Sequence, residues 1–225
     1  MQVTRVAQVE EAAARTAEVM ATALASARTV RGVAHGALAG GATPRRAYEL
    51  LGPMLDDWEG IHLWFGDERC VAPDDPEANS RMVAESLAAP GAVVHRIRGE
   101  LGAEEAAAAY AAEFGDTVLD VNLLGIGEDG HTASLFPGNP ALHATGVAVA
   151  VHGSPKPPPD RVSLTLATLN ASRRIVLLVA GAAKAPPLHR VLEGPDPDVP
   201  ASLLNRDVLE VVADAAALGE PSHGG

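Results

Sequence analysis

Cysteine is almost missing from this 225-residue chain: Cys70 stands alone. No intrachain disulfide is possible, which fits a reducing compartment. Long apolar runs are missing too. None is long enough to cross a bilayer, and Glu10, Glu11 and Glu18 interrupt every apolar stretch near the amino terminus, so no secretory signal is expected there. A cytoplasmic protein is the expectation. Basic charge is scarce: 17 Lys and Arg against 29 Asp and Glu leave a formal net charge of −12. That balance argues against nucleic acid and anionic membranes as partners. A small anionic ligand stays open, provided a few cations and backbone N–H groups build its site locally. Aromatic residues make up only 3% of the chain against 47% apolar residues in all, so the core is expected from Val, Leu and Ala. Metal-ligand spacings such as H-E-x-x-H or paired Cys and His do not occur, and no metal site is expected.

What is present reads as alternating helices and strands. Val6, Val9, Ala13, Val19 (or Met20) and Leu24 recur at helical spacing, predicting a helix over 5–27. Strands are expected at 33–39, 61–65, 93–97, 118–126, 147–151, 175–180 and 208–212. Residues 162–169 read as a strand running into a turn. Thr43-Pro44 opens a second helix, with Thr43 as its cap and Ala47, Leu51 and Met54 as its buried stripe. Further helices are expected at 79–87, 104–114 and 182–192, the last with Pro186-Pro187 in its first turn. The alternation implies one α/β domain over 1–220, a mostly parallel sheet with helices on both faces, and a disordered tail at 221–225.

Four polar clusters each follow an expected strand: Gly40-Gly41-Ala42-Thr43, Asp67-Glu68-Arg69, Gly127 to His131, and Gly181 to Lys184. Ligands of such sheets bind beyond the carboxyl ends of the strands, so the four are expected to converge. The first is a glycine turn feeding a helix amino terminus, suited to an anion, although an ordinary strand-to-helix turn looks the same. The second is either a solvated charged turn or part of a site. The third contains a formal G-x-G-x-x-G, but the segment after it is too short and Pro-broken for a dinucleotide fold, and no Asp or Glu occurs from 132 to 159. It leaves a tight loop carrying Asp129 and His131, an imidazole beside a carboxylate, suited to acid/base work near neutral pH. Arg161 and Lys184 are isolated cations near loop ends, open to phosphate or carboxylate binding or to surface solubility. His35 and His62 read as structural, and Cys70 as packing.

Together these segments resemble the 6-phosphogluconolactonase family, within a wider group that includes the glucosamine-6-phosphate deaminases/isomerases. Residues 39–44, with Tyr48 and Leu51, are similar to its phosphate loop; 65–71 to its D-E-R-x-V segment; 77–80, in part, to D-S-N-Y; 124–138 to its long signature; 156–164 to K-P-P-x-x-R-I-T-L; and 181–184 to G-x-x-K. Ala42 removes a hydroxyl often found in the phosphate loop, and Ala78 replaces a serine before Asn79. Ser134-Leu135-Phe136-Pro137 stands where the deaminase branch carries an extra Glu.

The resemblance implies hydrolysis of a phosphorylated sugar lactone without a cofactor. His131 is the implied base, with Asp129, Asp67 and Glu68 as catalytic candidates. Gly40, Gly41, Ala42, Thr43, Arg69, Asn79, Gly127, Gly130, Arg161 and Lys184 are implied to bind substrate or its phosphate. A monomer or homodimer is expected. A non-catalytic sugar-phosphate sensor is the reading from another class; it would need a DNA-binding domain for which the amino-terminal segment has no room.

Overall fold

The computed structural model describes residues 1–220, so the expectation for 221–225 lies outside the described residues. In chain order the elements are β1 (Gln2–Val6), α1 (Val9–Arg31), β2 (Ala34–Leu38), α2 (Ala42–Leu51), β3 (Ile61–Phe65), β4 (Asp67–Arg69), α3 (Asn79–Ser86), β5 (Val93–Val94), α4 (Ala103–Phe114), β6 (Val121–Gly125), β7 (Ala148–Val151), β8 (Arg161–Leu164), α5 (Leu166–Asn170), β9 (Ile175–Val179), α6 (Ala185–Glu193) and β10 (Leu209–Asp214). Seven strands form a wholly parallel sheet in the order β1-β10-β9-β6-β2-β3-β5. Every residue of β9 is buried, as its unbroken Ile-Val-Leu-Leu-Val run requires of a strand covered on both faces. Helix α1 lies across β2, β6, β9 and β10.

From β2 the chain moves outward through β3 and β5; it then returns to β6 and proceeds the other way through β9 and β10. The loops leaving β2 and β6 therefore diverge and open a crevice at the carboxyl ends of these neighbours. A second sheet of three antiparallel strands, β4-β8-β7, borders that crevice. The chain passes from one sheet to the other through Gly66, whose N–H donates to Leu38 O of β2 and whose carbonyl accepts from the N–H of Leu164, the last residue of β8.

Several sequence expectations need correction. The first helix begins at Val9, and Val6 belongs to β1, whose Gln-Val-Thr-Arg-Val is an edge strand of mixed exposure. Val9 is itself exposed, while Ala13, Val19, Met20 and Leu24 are buried as the spacing requires. Helix α2 is capped at Gly41, not Thr43, and it tightens into a 3-10 turn after Leu51 that leaves Met54 exposed. The strand expected at 93–97 shortens to two exposed residues. The segment 162–169 divides into β8 and α5, with Thr165 capping the helix through Thr168 N. Residues 147–151 join the antiparallel sheet, which strand-helix alternation gives no reason to expect.

Candidate active site

At the crevice lies a cavity of about 150 Å³ lined by Ala39, Gly40, Gly41, Asp67, Arg69, Asn79, Gly125, Ile126, His131, Ala133 and Arg161. Three of the four polar clusters thus meet, joined by Arg161 from the second sheet. The fourth does not reach the wall. Lys184 sits in a 3-10 turn; burial lowers its ammonium pKa and Lys156 adds to the fall, while Glu128 and Asp129 oppose it. Ala42 and Thr43 form the first turn of α2, behind Gly41.

The glycine loop carries Asp129 and His131 in contact. Asp129 Oδ1 stands 2.5 Å from His131 Nδ1 and also accepts from the His131 backbone N–H. Burial would raise the Asp129 carboxyl, but the His131 contacts and backbone donors outweigh it and hold it at about 2. Gly127 is required by proximity: a Cβ there would lie 2.0 Å from His131 Nδ1. Gly130 is required by its φ of +83° and by Val199 beside it. Phe136 lies between the two functional groups, its ring centroid 4.5 Å from that of His131 and 5.5 Å from the Arg161 guanidinium carbon. Ala133, in the wall, is the one non-glycine residue among those described with positive φ, at +47°.

Adjacent carboxylates part company here. Asp67 faces the cavity and accepts from Ser134 Oγ at 2.5 Å. Glu68 is outside the wall and accepts from the backbone N–H groups of Arg69, Asn79 and Ser80 at 2.7–2.8 Å. It caps α3 from a distance, where Ala78 at the cap position has no side-chain acceptor. Burial pushes the Glu68 carboxyl up, against the pull of those three donors. This geometry ties Glu68 to the amino end of α3.

Arg161 is buried and donates through Nε and Nη2 to the carbonyls of Pro158, Lys156 and Pro157. Burial lowers its pKa, with the Asp67 charge opposing. Arg69 donates to Glu77 O, and its buried Nε has no partner. Cys70 has its thiol pushed up to about 11 by burial and by Asp160, Glu104 and Glu68, which leaves it unreactive near neutral pH, as expected.

Sequence reasoning named Ser134 and Tyr48 only as members of matching segments, and it gave no site role to Ser134 or to the two tyrosines that set the strand ends. Tyr48 OH accepts from Ala39 N and donates to Ala39 O, both at 2.8 Å, just past β2. Tyr110 OH does the same to Phe65, the last residue of β3, at 2.7 and 3.0 Å. Ser134 carried a faint signal as a small polar residue just past His131, and Tyr48 one as part of the segment similar to the phosphate loop; Tyr110 carried none. A wider groove of about 690 Å³ lies at the amino ends of the strands. Its buried carboxylates Asp120 and Glu210 are already paired with Arg31, Arg173, Arg15 and Arg174, so the smaller cavity is the candidate site.

Residues 7–213 match the family described as glucosamine-6-phosphate isomerases/6-phosphogluconolactonase. The chain belongs to that family. It is 38% identical to the 6-phosphogluconolactonase of Streptomyces coelicolor, over 82% of this chain and 78% of that one. It is likewise 38% identical to the 6-phosphogluconolactonase of Mycobacterium tuberculosis, over 80% and 81% of the two chains. The crystal structure of a 6-phosphogluconolactonase from Shewanella baltica superposes with a TM-score of 0.86 at 28% identity, covering 96% of this chain and 98% of that one. The α/β fold expected from strand-helix alternation is thus the fold of the family.

Proposed function

We propose that this protein hydrolyses 6-phospho-D-glucono-1,5-lactone to 6-phospho-D-gluconate in the oxidative pentose phosphate pathway. The observation that carries the reading is His131, held through Nδ1 by an ionised Asp129 at a cavity that also contains two arginines. With Nδ1 occupied, Nε2 is free to take a proton from water. That water attacks the lactone carbonyl and forms a tetrahedral oxyanion, stabilised by backbone N–H groups of the glycine loop or by a neighbouring cation. Collapse breaks the bond from the carbonyl carbon to the ring oxygen, and the His131 imidazolium returns its proton to that oxygen. Asp67 orders the sugar. Gly40 and Gly41, with Ala42 and Thr43 at the positive end of α2, receive the phosphate. Arg69, Arg161 and Lys184 supply cationic charge. Anchoring the remote phosphate fixes the carbonyl against the water. No metal or organic cofactor enters the scheme. The same reading takes residues 1–220 as one lactonase domain working in the cytoplasm, as a monomer or homodimer.

The test is a coupled assay on freshly generated lactone, corrected for spontaneous hydrolysis. An excess rate is expected, falling roughly 10²- to 10⁴-fold in His131→Ala with the fold retained. No excess rate would sink the assignment; near-normal turnover in the variant would remove His131 from its role.

A further inference from the structure

Asn79 is 2% exposed, at the first position of α3. Its Nδ2 donates to the Asp67 carbonyl at 2.9 Å and lies 3.4 Å from Asp67 Oδ1. Those contacts orient the amide, so Oδ1 faces the opposite way, toward Gly40. There it is buried with no hydrogen-bond partner. A Cβ on Gly40 would stand 2.0 Å from it. Gly40 does not adopt a positive φ, so crowding by the Asn79 amide, not backbone conformation, is what demands glycine. Both residues line the cavity. A buried acceptor without a donor is costly and calls for a partner.

We infer that Asn79 Oδ1 accepts a hydrogen bond from one ring hydroxyl of the bound sugar, and that Gly40 is glycine so that the amide can sit there. The inference rests on the lactonase reading of this cavity. A phosphate monoester near pH 7 is mostly dianionic and offers acceptors rather than donors, so an unpaired carbonyl oxygen selects a neutral O–H and disfavours phosphate. Asn79 therefore marks the place where the sugar meets the Gly40-Gly41 loop proposed to receive the phosphate, and it is a specificity determinant for a sugar hydroxyl.

The experiment compares the parent lactone with analogues lacking the 2-, 3- or 4-hydroxyl. It uses wild type, Asn79→Ala, Gly40→Ala and the double variant, with circular dichroism reporting folding. One deoxy lactone is expected to lose about ten-fold or more in kcat/KM on wild type. Asn79→Ala should lose a similar factor on the parent, yet treat parent and that analogue alike. Gly40→Ala, whose methyl displaces the amide, should reproduce this pattern and add nothing further in the double variant. Equal losses on every lactone in Asn79→Ala, or no loss on any, overturn the inference. If Asn79→Ala does not fold, Gly40→Ala carries the same comparison. If wild type turns over no lactone, the functional reading fails separately. Calorimetric binding of 6-phosphogluconate and its deoxy forms to the same proteins then decides the Asn79 contact by the same criteria.

Discussion

Asp67 and Glu68 are adjacent carboxylates that β4 turns to different tasks. Successive side chains of a strand point to opposite faces, so one of the pair enters the cavity and the other reaches the amino end of α3. The sequence alone leaves the two indistinguishable, because the direction of β4 depends on its pairing with β8. Glu68→Gln is expected to lower unfolding stability by about 1–3 kcal/mol, since an amide nitrogen would face a backbone donor it cannot accept from. Its kinetic constants should stay close to wild type. Asp67→Asn should do the reverse, holding stability and lowering turnover about ten-fold or more through lost orientation of the sugar. Urea unfolding and steady-state kinetics on both variants check the pair, and an exchange of the two phenotypes would exchange the roles.

Elements matter here through their ends. The two tyrosines of the chain each clamp both backbone groups of one residue where β2 and β3 deliver their loops to the cavity. Tyr48→Phe leaves the Ala39 N–H and C=O without that partner in a buried place. The expected cost is about 1–3 kcal/mol of stability, together with a rise in KM, because Gly40 and Gly41 follow directly. Thermal unfolding and saturation kinetics test this; an unchanged midpoint would show that the clamp carries no weight. The helix periods of α1 and α4 and the apolar runs of β3 and β9 were legible because burial repeats with the element's own period. Edge strand β1 was not, since partial exposure removes that periodicity; β7 was expected as a strand at 147–151, but its antiparallel pairing with β8 was not.

Across the whole molecule, histidines away from the site set the response to acid. Trp64 Nε1 donates to His35 Nδ1 at 3.1 Å, His62 Nδ1 meets His95 Nε2 at 2.8 Å, and His95 Nδ1 meets Glu113 at 2.6 Å. Burial first, and neighbouring imidazoles second, lower the pKa of His35 and His62; Asp120 opposes the shift at His35, and Arg31 adds to it. The unfolded chain then binds more protons than the folded one, so stability is lost as pH falls below about 6.5 through the lowered values. His152 has the opposite sign. Bonds to Asp160 and Glu104 raise its pKa, so its contribution is present at low pH and fades as pH rises through the raised value. The unfolding temperature should therefore fall on the acid side of neutrality, and His62→Gln should flatten that fall. An acid limb identical in variant and wild type would exclude the cluster as its cause.

The sequence by itself determined the class of fold, the glycine loop with Asp129 and His131, and the gathering of polar clusters at strand ends. These are local patterns: period, turn chemistry and residues a few positions apart. Only the tertiary structure decided that Asp67 and not Glu68 faces the cavity, that Arg161 enters from a second sheet, that Lys184 stays off the wall, and that Gly40 answers to Asn79. Each of those depends on which distant segments share a wall, and strand order and packing set that, not neighbours along the chain.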